Sequence, residues 1–197
     1  MSEPVSLDQI KVHLRIDASG TGEDAYLGGL ITAARRACEV EINQSVLGGQ
    51  RKLVLDQFPH ARAPALTASE RNRAVAIALP GGILANIDVI RWRTLAEGWQ
   101  EMDSTSWLVS IDEVPGRVSP IDCWPEADGR AGCVVIEYTL APLGADDLAM
   151  VVQAILLTIG HWYENRESVA VDQRGTPMEL PQSAAWLLGQ ATSYGGR

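Results

Sequence analysis

The hydrophobic pattern of this chain changes period twice, and few folds accommodate such a change. Residues 1–48 and 142–197 place apolar side chains at steps of three and four, the period of a helix. Between them, residues 49–141 carry short runs rich in Val, Ile, Trp and Tyr, divided by proline and glycine, the pattern of strands and turns. The expectation is an α+β protein. A small bundle of about four helices is built from both ends of the chain, and an antiparallel β-module is inserted between its second and third helices.

Local signals sharpen the three blocks. Ser6-Leu7-Asp8-Gln9 matches a capping box, in which the serine accepts from the backbone of Gln9 and the glutamine reaches back. A short helix should follow and bury Leu7, Ile10 and Leu14. Thr21 to Asp24 offers a second start, and Tyr26, Leu27, Leu30, Ile31, Ala34, Ala37, Cys38 and Ile42 make an amphipathic helix to about Gln44. Gly28 and Gly29 weaken it, each by about 1 kcal/mol relative to alanine, which suggests close packing against a neighbour. The strand candidates are RKLVLDQF (51–58), AVAIALPGG (74–82), NIDVIRWRT (86–94), SWLVSID (106–112) and GCVVIEYTL (132–140). LAEGWQEMD (95–103) reads as a hairpin turn around Gly98, and EVPGRVSP (113–120) as a further turn.

In the third block, Asp146-Asp147 is expected to cap a helix reaching about Arg166. Its apolar residues Leu148, Val151, Val152, Ile155, Leu156, Ile159, Trp162 and Tyr163 cover most of the circumference. A helix of that kind is buried in a core or between subunits. VAVDQRGTPMEL (169–180) reads as a loop. Pro181 and Gly189 should bracket a last short helix, followed by a mobile tail, ATSYGGR.

Chemistry is hard to find along the chain. The net charge of −9 matches phosphate backbones poorly. Cys38, Cys123 and Cys133 have no C-x-x-C spacing and read as reduced thiols. The start of the chain lacks the pattern of a signal peptide, and AMVVQAILLTIG (149–160) is too short to span a bilayer. GHWYENRE (160–167) is the most catalytic-looking stretch. On a helix His161, Glu164 and Glu167 share a stripe. Yet the order is His-x-x-Glu, it occurs once, and neither His13 nor His60 brings a carboxylate at ligand spacing. No G-x-S-x-G elbow and no phosphate-binding glycine loop is present. No metal, cofactor or catalytic residue is therefore expected. Trp162 and Tyr163 read as packing residues, as does His161, and Arg166 suits the negative end of the helix dipole.

Three phrases carry a resemblance. SLDQIKVHLRID (6–17) followed by AYLGGLITAARRACEVEINQSV (25–46), AILLTIGHWYENRE (154–167), and ELPQSAAWLL (179–188) resemble, in that order, the head–tail connector (adaptor) proteins of long-tailed phages and gene transfer agents. Leu7, Lys11, His13, Leu14, Arg15, Asp17, Ala33, Ala34, Arg35 and Glu39 stand at the places of the family's opening pattern. The match covers roughly half of the chain; the β-module resembles the insertion of the family's longer subgroup in placement only. ATSYGGR lacks the Tyr-Arg phrase that often follows the final leucines.

The resemblance implies a structural virion component, not an enzyme. It implies a homo-oligomeric ring, twelvefold, below the portal protein at the neck of the particle. The ring would extend the DNA channel, pass DNA without sequence-specific binding, and dock a stopper or tail-completion protein. Such a protein is made in the bacterial host cytoplasm and meets no membrane. The candidate subunit-interface or bundle-packing residues are His161, Trp162, Tyr163, Asn165, Arg166, Glu167, Arg35 and Glu39. Alternatives are another virion or tail-completion component, or a small hydrolytic enzyme using Asp112, Glu113 or Asp122 on the β-module.

Overall fold

Ser6 starts the first helix as its wording requires. Its Oγ accepts from the Gln9 backbone at 3.2 Å and its own N–H donates to Gln9 Oε1 at 2.8 Å. The computed structural model describes residues 3–17, 19–59, 75–165 and 180–194. The chain divides into two compact units, Met1–Leu47 with Leu143–Arg197, and Gly48–Pro142.

The first unit is helical. It contains α1 (Leu7–Leu14), α2 (Asp24–Ile42), α3 (Ala145–Glu164) and α4 (Gln182–Tyr194). Their apolar stripes meet in one core that includes Ile10, Leu27, Ile31, Ala34, Ile155, Ile159 and Leu188. Burying each of the leucines and isoleucines fully is worth about 1.5–3 kcal/mol, enough to offset the ordering of short helices that would not persist alone. The chain leaves and re-enters this unit at one place, where Leu143 N–H donates to Val46 O at 3.2 Å.

Three expectations are corrected here. The helix α3 is capped at Gly144, and Asp146 and Asp147 lie inside its first turn, where they favour the helix dipole rather than satisfying a backbone donor. Gly28 and Gly29 do not mark a close approach, since a Cβ on either would meet nothing within 4 Å. Gly189 does not stop α4, which runs on to Tyr194, so residues 191–194 are helix rather than tail. A single interior glycine costs only about 1 kcal/mol, which the burial of Leu188 and Ala191 outweighs. Residues 169–179 and 195–197, assigned to a loop and to the tail, lie outside the described residues.

The second unit is built from two antiparallel sheets. One has the strand order β1 (Gly49–Leu55), β7 (Val134–Leu140), β3 (Leu84–Thr94), β4 (Gly98–Glu101); the other has the order β2 (Ile77–Leu79), β6 (Gly116–Pro120), β5 (Trp107–Ser110). In register, Leu53 and Ile90 flank Ile136. Both sheets contribute to one apolar core, with Phe58 stacked on Trp124 at 4.8 Å between ring centroids. Trp124 Nε1 donates to Val75 O at 2.8 Å, and Tyr138 Oη to Pro80 O at 2.8 Å, so these large residues are buried without orphaning a polar atom.

Two stretches expected as turns contain strands. Gly98–Glu101 of LAEGWQEMD form β4, so the hairpin turn itself is only residues 95–97, and residues 116–120 of EVPGRVSP form β6, the middle strand of its sheet. Its glycine is there for space: a Cβ on Gly116 would lie 2.5 Å from Leu84 Cβ. Gly48 serves a related purpose where the strands begin and end. Its φ of +67° suits glycine, and a Cβ there would run into the backbone carbonyl of Leu140.

Candidate functional site

The residues singled out at the end of α3 divide by environment. Trp162 is buried, and its Nε1 has no hydrogen-bond partner among the described residues. His161, by contrast, is exposed. It is not a bundle-packing residue, because its position on α3 faces away from the stripe formed by Ile155, Ile159 and Trp162. Its backbone carbonyl accepts from the Asn165 backbone at 3.1 Å and from Asn165 Nδ2 at 2.8 Å, closing the helix end. Arg166 and Glu167 lie outside the described residues.

Tyr163 ties α3 to the start of α2. Its Oη donates to Glu23 Oε2 at 2.7 Å, and its ring lies 6.5 Å from that of Tyr26. A hydrogen bond to a charged acceptor contributes about 1.5–3 kcal/mol, and this one is partly exposed. Tyr163→Phe is therefore expected to cost about 1–2 kcal/mol in urea denaturation, with no change in secondary structure by circular dichroism. A cost near zero would mean that the bond contributes nothing in solution.

The first position of GHWYENRE lies where two helices meet. A Cβ on Gly160 would lie 3.4 Å from His13 Nε2, so α1 crosses α3 there. Beside this crossing runs an open groove of about 420 Å³, lined by Asp8, Gln9, Val12, His13 and Leu156.

Arg35 and Glu39 form a knot within the helical unit. Arg35 Nε donates to Glu3 Oε2 at 2.7 Å and Nη1 to Glu39 Oε2 at 2.8 Å. Glu39 Oε1 accepts from the Val46 backbone at 3.0 Å, which anchors the chain after α2. A second buried cation, Lys11, pairs with Asp24 at 2.6 Å and donates to Gly20 O at 2.8 Å. The periodicity of the sequence does not reveal either knot; Lys11 and Arg35 stood out only through the resemblance.

Burial works to raise the Glu3 carboxyl, but the hydrogen bond and charge of Arg35, with help from Thr32, outweigh it and hold the group below its ordinary 4.5. A carboxyl depressed in the folded state stabilises above its unfolded pKa, and that stability is lost as pH falls through the folded value. Stability is thus expected to fall on acidification below about pH 4.5, and to fall less steeply in Glu3→Gln. Equal slopes for the two proteins in denaturation series at several pH values would refute the pairing.

Among the described residues no chemical constellation gathers around these groups. Among the described residues no three His, Cys, Asp or Glu side chains stand together as metal ligands, and no helix is long and apolar enough to cross a membrane. Burial pushes the Cys38 thiol up to about 12, aided by Glu39 and Glu41, so it is protonated at neutral pH and a poor nucleophile. Asp112, Glu113 and Asp122 are all exposed, and Glu113 is tied to Arg117 at 3.2 Å.

Residues 4–76 match the family model of phage gp6-like head–tail connector proteins, over the same stretch that carries the opening phrases of the resemblance. The whole fold is shared with a chain in the neck of an empty gene transfer agent particle computed with sixfold symmetry. That pair has a TM-score of 0.67 and 18% identity, covering 97% of this chain and 92% of that one. A chain in the virion of a native gene transfer agent particle matches with a TM-score of 0.65 at 18% identity, over 95% of this chain and 88% of its own length. A third chain, in the neck of a native gene transfer agent particle computed with twelvefold symmetry, gives 0.54 at 19% identity over 95% and 92%. No curated protein matches the chain in sequence.

Proposed function

We propose that this chain is a structural head–tail connector at the neck of a phage-like particle. Copies of it form a closed ring below the portal protein, extend the DNA channel, and offer a docking surface to a stopper or tail-completion protein. The observation that carries this reading is the likeness over 97% of the chain to a neck protein of a gene transfer agent particle. The family match at residues 4–76 supports it independently. The protein acts by contact, not by catalysis.

Twelve copies suit the ring, because necks of such particles have been computed with both sixfold and twelvefold symmetry, and a twelve-membered ring is compatible with each. The net charge of −9 suits a channel protein, since a strongly cationic wall would bind phosphates by counterion release and hold the DNA. His161, Asn165, Arg166 and Glu167, at and beyond the end of α3, are proposed contacts with the adjoining subunit or the portal.

Removal of the gene from a producing cell tests the reading. Filled heads without tails are expected, with tails assembled separately. Intact tailed particles in the deletion strain would overturn it.

A further inference from the structure

Two tryptophans stand exposed among the described residues, Trp99 at 51% and Trp186 at 65%. Trp99 sits on β4 among charges: Arg93 lies opposite it in register, and Glu101 is two residues on, on the same face. Trp186 has different surroundings. Its helix, α4, reads QSAAWLLGQATSY and holds no Asp, Glu, Lys, Arg or His over 13 residues. The inward stripe of α4, Ala184, Leu188 and Ala191, is buried in the core. Trp186 lies on the opposite side, one turn from the exposed Gln182, Ser183 and Gly189. This face has the composition of an interface core, which is depleted in charge and enriched in tryptophan.

The same helical unit carries a concave counterpart. The groove beside the crossing of α1 and α3 has a volume of about 420 Å³, within the range of pockets that bury small organic ligands. Val12, 74% exposed, and Leu156 supply its apolar wall. Asp8, one turn before Val12 on the same face of α1, offers a carboxylate acceptor for an indole N–H. Trp186 does not line this groove, so the two do not meet within one chain.

We propose that Trp186 of one subunit seats in the α1–α3 groove of the adjoining copy of this chain. A second copy is the occupant because a closed ring needs two different, mutually complementary surfaces on every subunit, and one unit of this chain carries such a pair. The chemistry matches from both sides. One surface is uncharged with a single large ring at its centre; the other is an apolar wall with an acceptor for the ring's N–H beside it. Protrusion and groove are different surfaces, so the contact passes head-to-tail from each subunit to the next. A tryptophan buries about 150–250 Å², so Trp186 anchors the interface and its neighbours supply the remaining area. The inference rests on the ring reading above and specifies how neighbouring subunits join.

The test is photocrosslinking inside assembled particles. The photoreactive residue p-benzoylphenylalanine, also a large aromatic, replaces Trp186 in a producing cell, and crosslinked peptides are identified by mass spectrometry. Crosslinks should map to α1 between Asp8 and His13 or to Leu156, in a ladder of multimers that extends beyond the dimer. The same probe in place of Val12 reads the contact from the groove and should map to α4. Trp186→Lys should leave the free protein folded with an unchanged denaturation midpoint, because the side chain is exposed, and should lower the yield of tailed particles by more than about tenfold. Crosslinks to another virion protein, crosslinks between two copies of position 186, or a ladder that stops at the dimer overturn the inference and leave the neck function standing. So does a neck ring seen by imaging with no crosslink from either position, or an undiminished yield with Trp186→Lys. Particles whose neck lacks this chain overturn both.

Discussion

Arg35→Ala should destabilise the helical unit by about 3 kcal/mol, as removal of one partner from a buried ion pair does. The guanidinium is 11% exposed and lies between two carboxylates, Glu3 and Glu39. Without it, Glu39, itself only 10% exposed, faces Glu3 with no other buried cation paired to it among the described residues. Arg36 is 3.8 Å from Glu39 but 69% exposed, so water screens most of its help. Glu3 is 31% exposed and can relax toward solvent, which holds the estimate at the low end of the range. The loss also loosens the chain after α2, because Glu39 holds the Val46 amide. Guanidinium denaturation measures the effect. Adding Glu39→Gln to Arg35→Ala should recover part of the loss, since it removes the unpaired charge. A cost under about 0.5 kcal/mol would place the knot with ordinary surface pairs.

Ile136→Ala should cost about 3–4 kcal/mol, near the middle of the range for large-to-small core changes. Ile136 is fully buried on β7, which is hydrogen-bonded to β1 on one side and β3 on the other. Leu53 and Ile90 flank it in register, and backbone paired on both sides cannot shift to close the cavity. The expected result is a lower denaturation midpoint with an unchanged slope. A cost below about 1 kcal/mol would mean that the site collapses around alanine and that the β-core is looser than the register implies.

Much of this fold was legible in the sequence, and what was not has physical reasons. The capping box at Ser6 and Gln9 is a local device, so wording alone places the start of α1. The stripes of α2 and α3 follow from a period that needs no partner to be recognised. β6 was not legible, because Pro115 and Gly116 signal a turn, while the need for Gly116 is set by Leu84, distant in sequence. Gly189 failed in the opposite sense, since tertiary burial carried α4 past a residue that would end an isolated helix.

The candidate site was less legible than the fold. GHWYENRE looked like chemistry, then like packing. In the structure it divides into a buried Trp162, a Tyr163 bonded to Glu23, and an exposed His161. Which stripe a residue joins depends on where neighbouring helices lie, and α1 lies against Gly160.

Imaging of the particle neck tests the central claim most directly. Electron cryomicroscopy of particles from a producing strain should show a closed ring of this two-unit fold directly below the portal, with the DNA channel through its centre. Density at that level that no copy of this chain fits, in particles that carry tails, would contradict it.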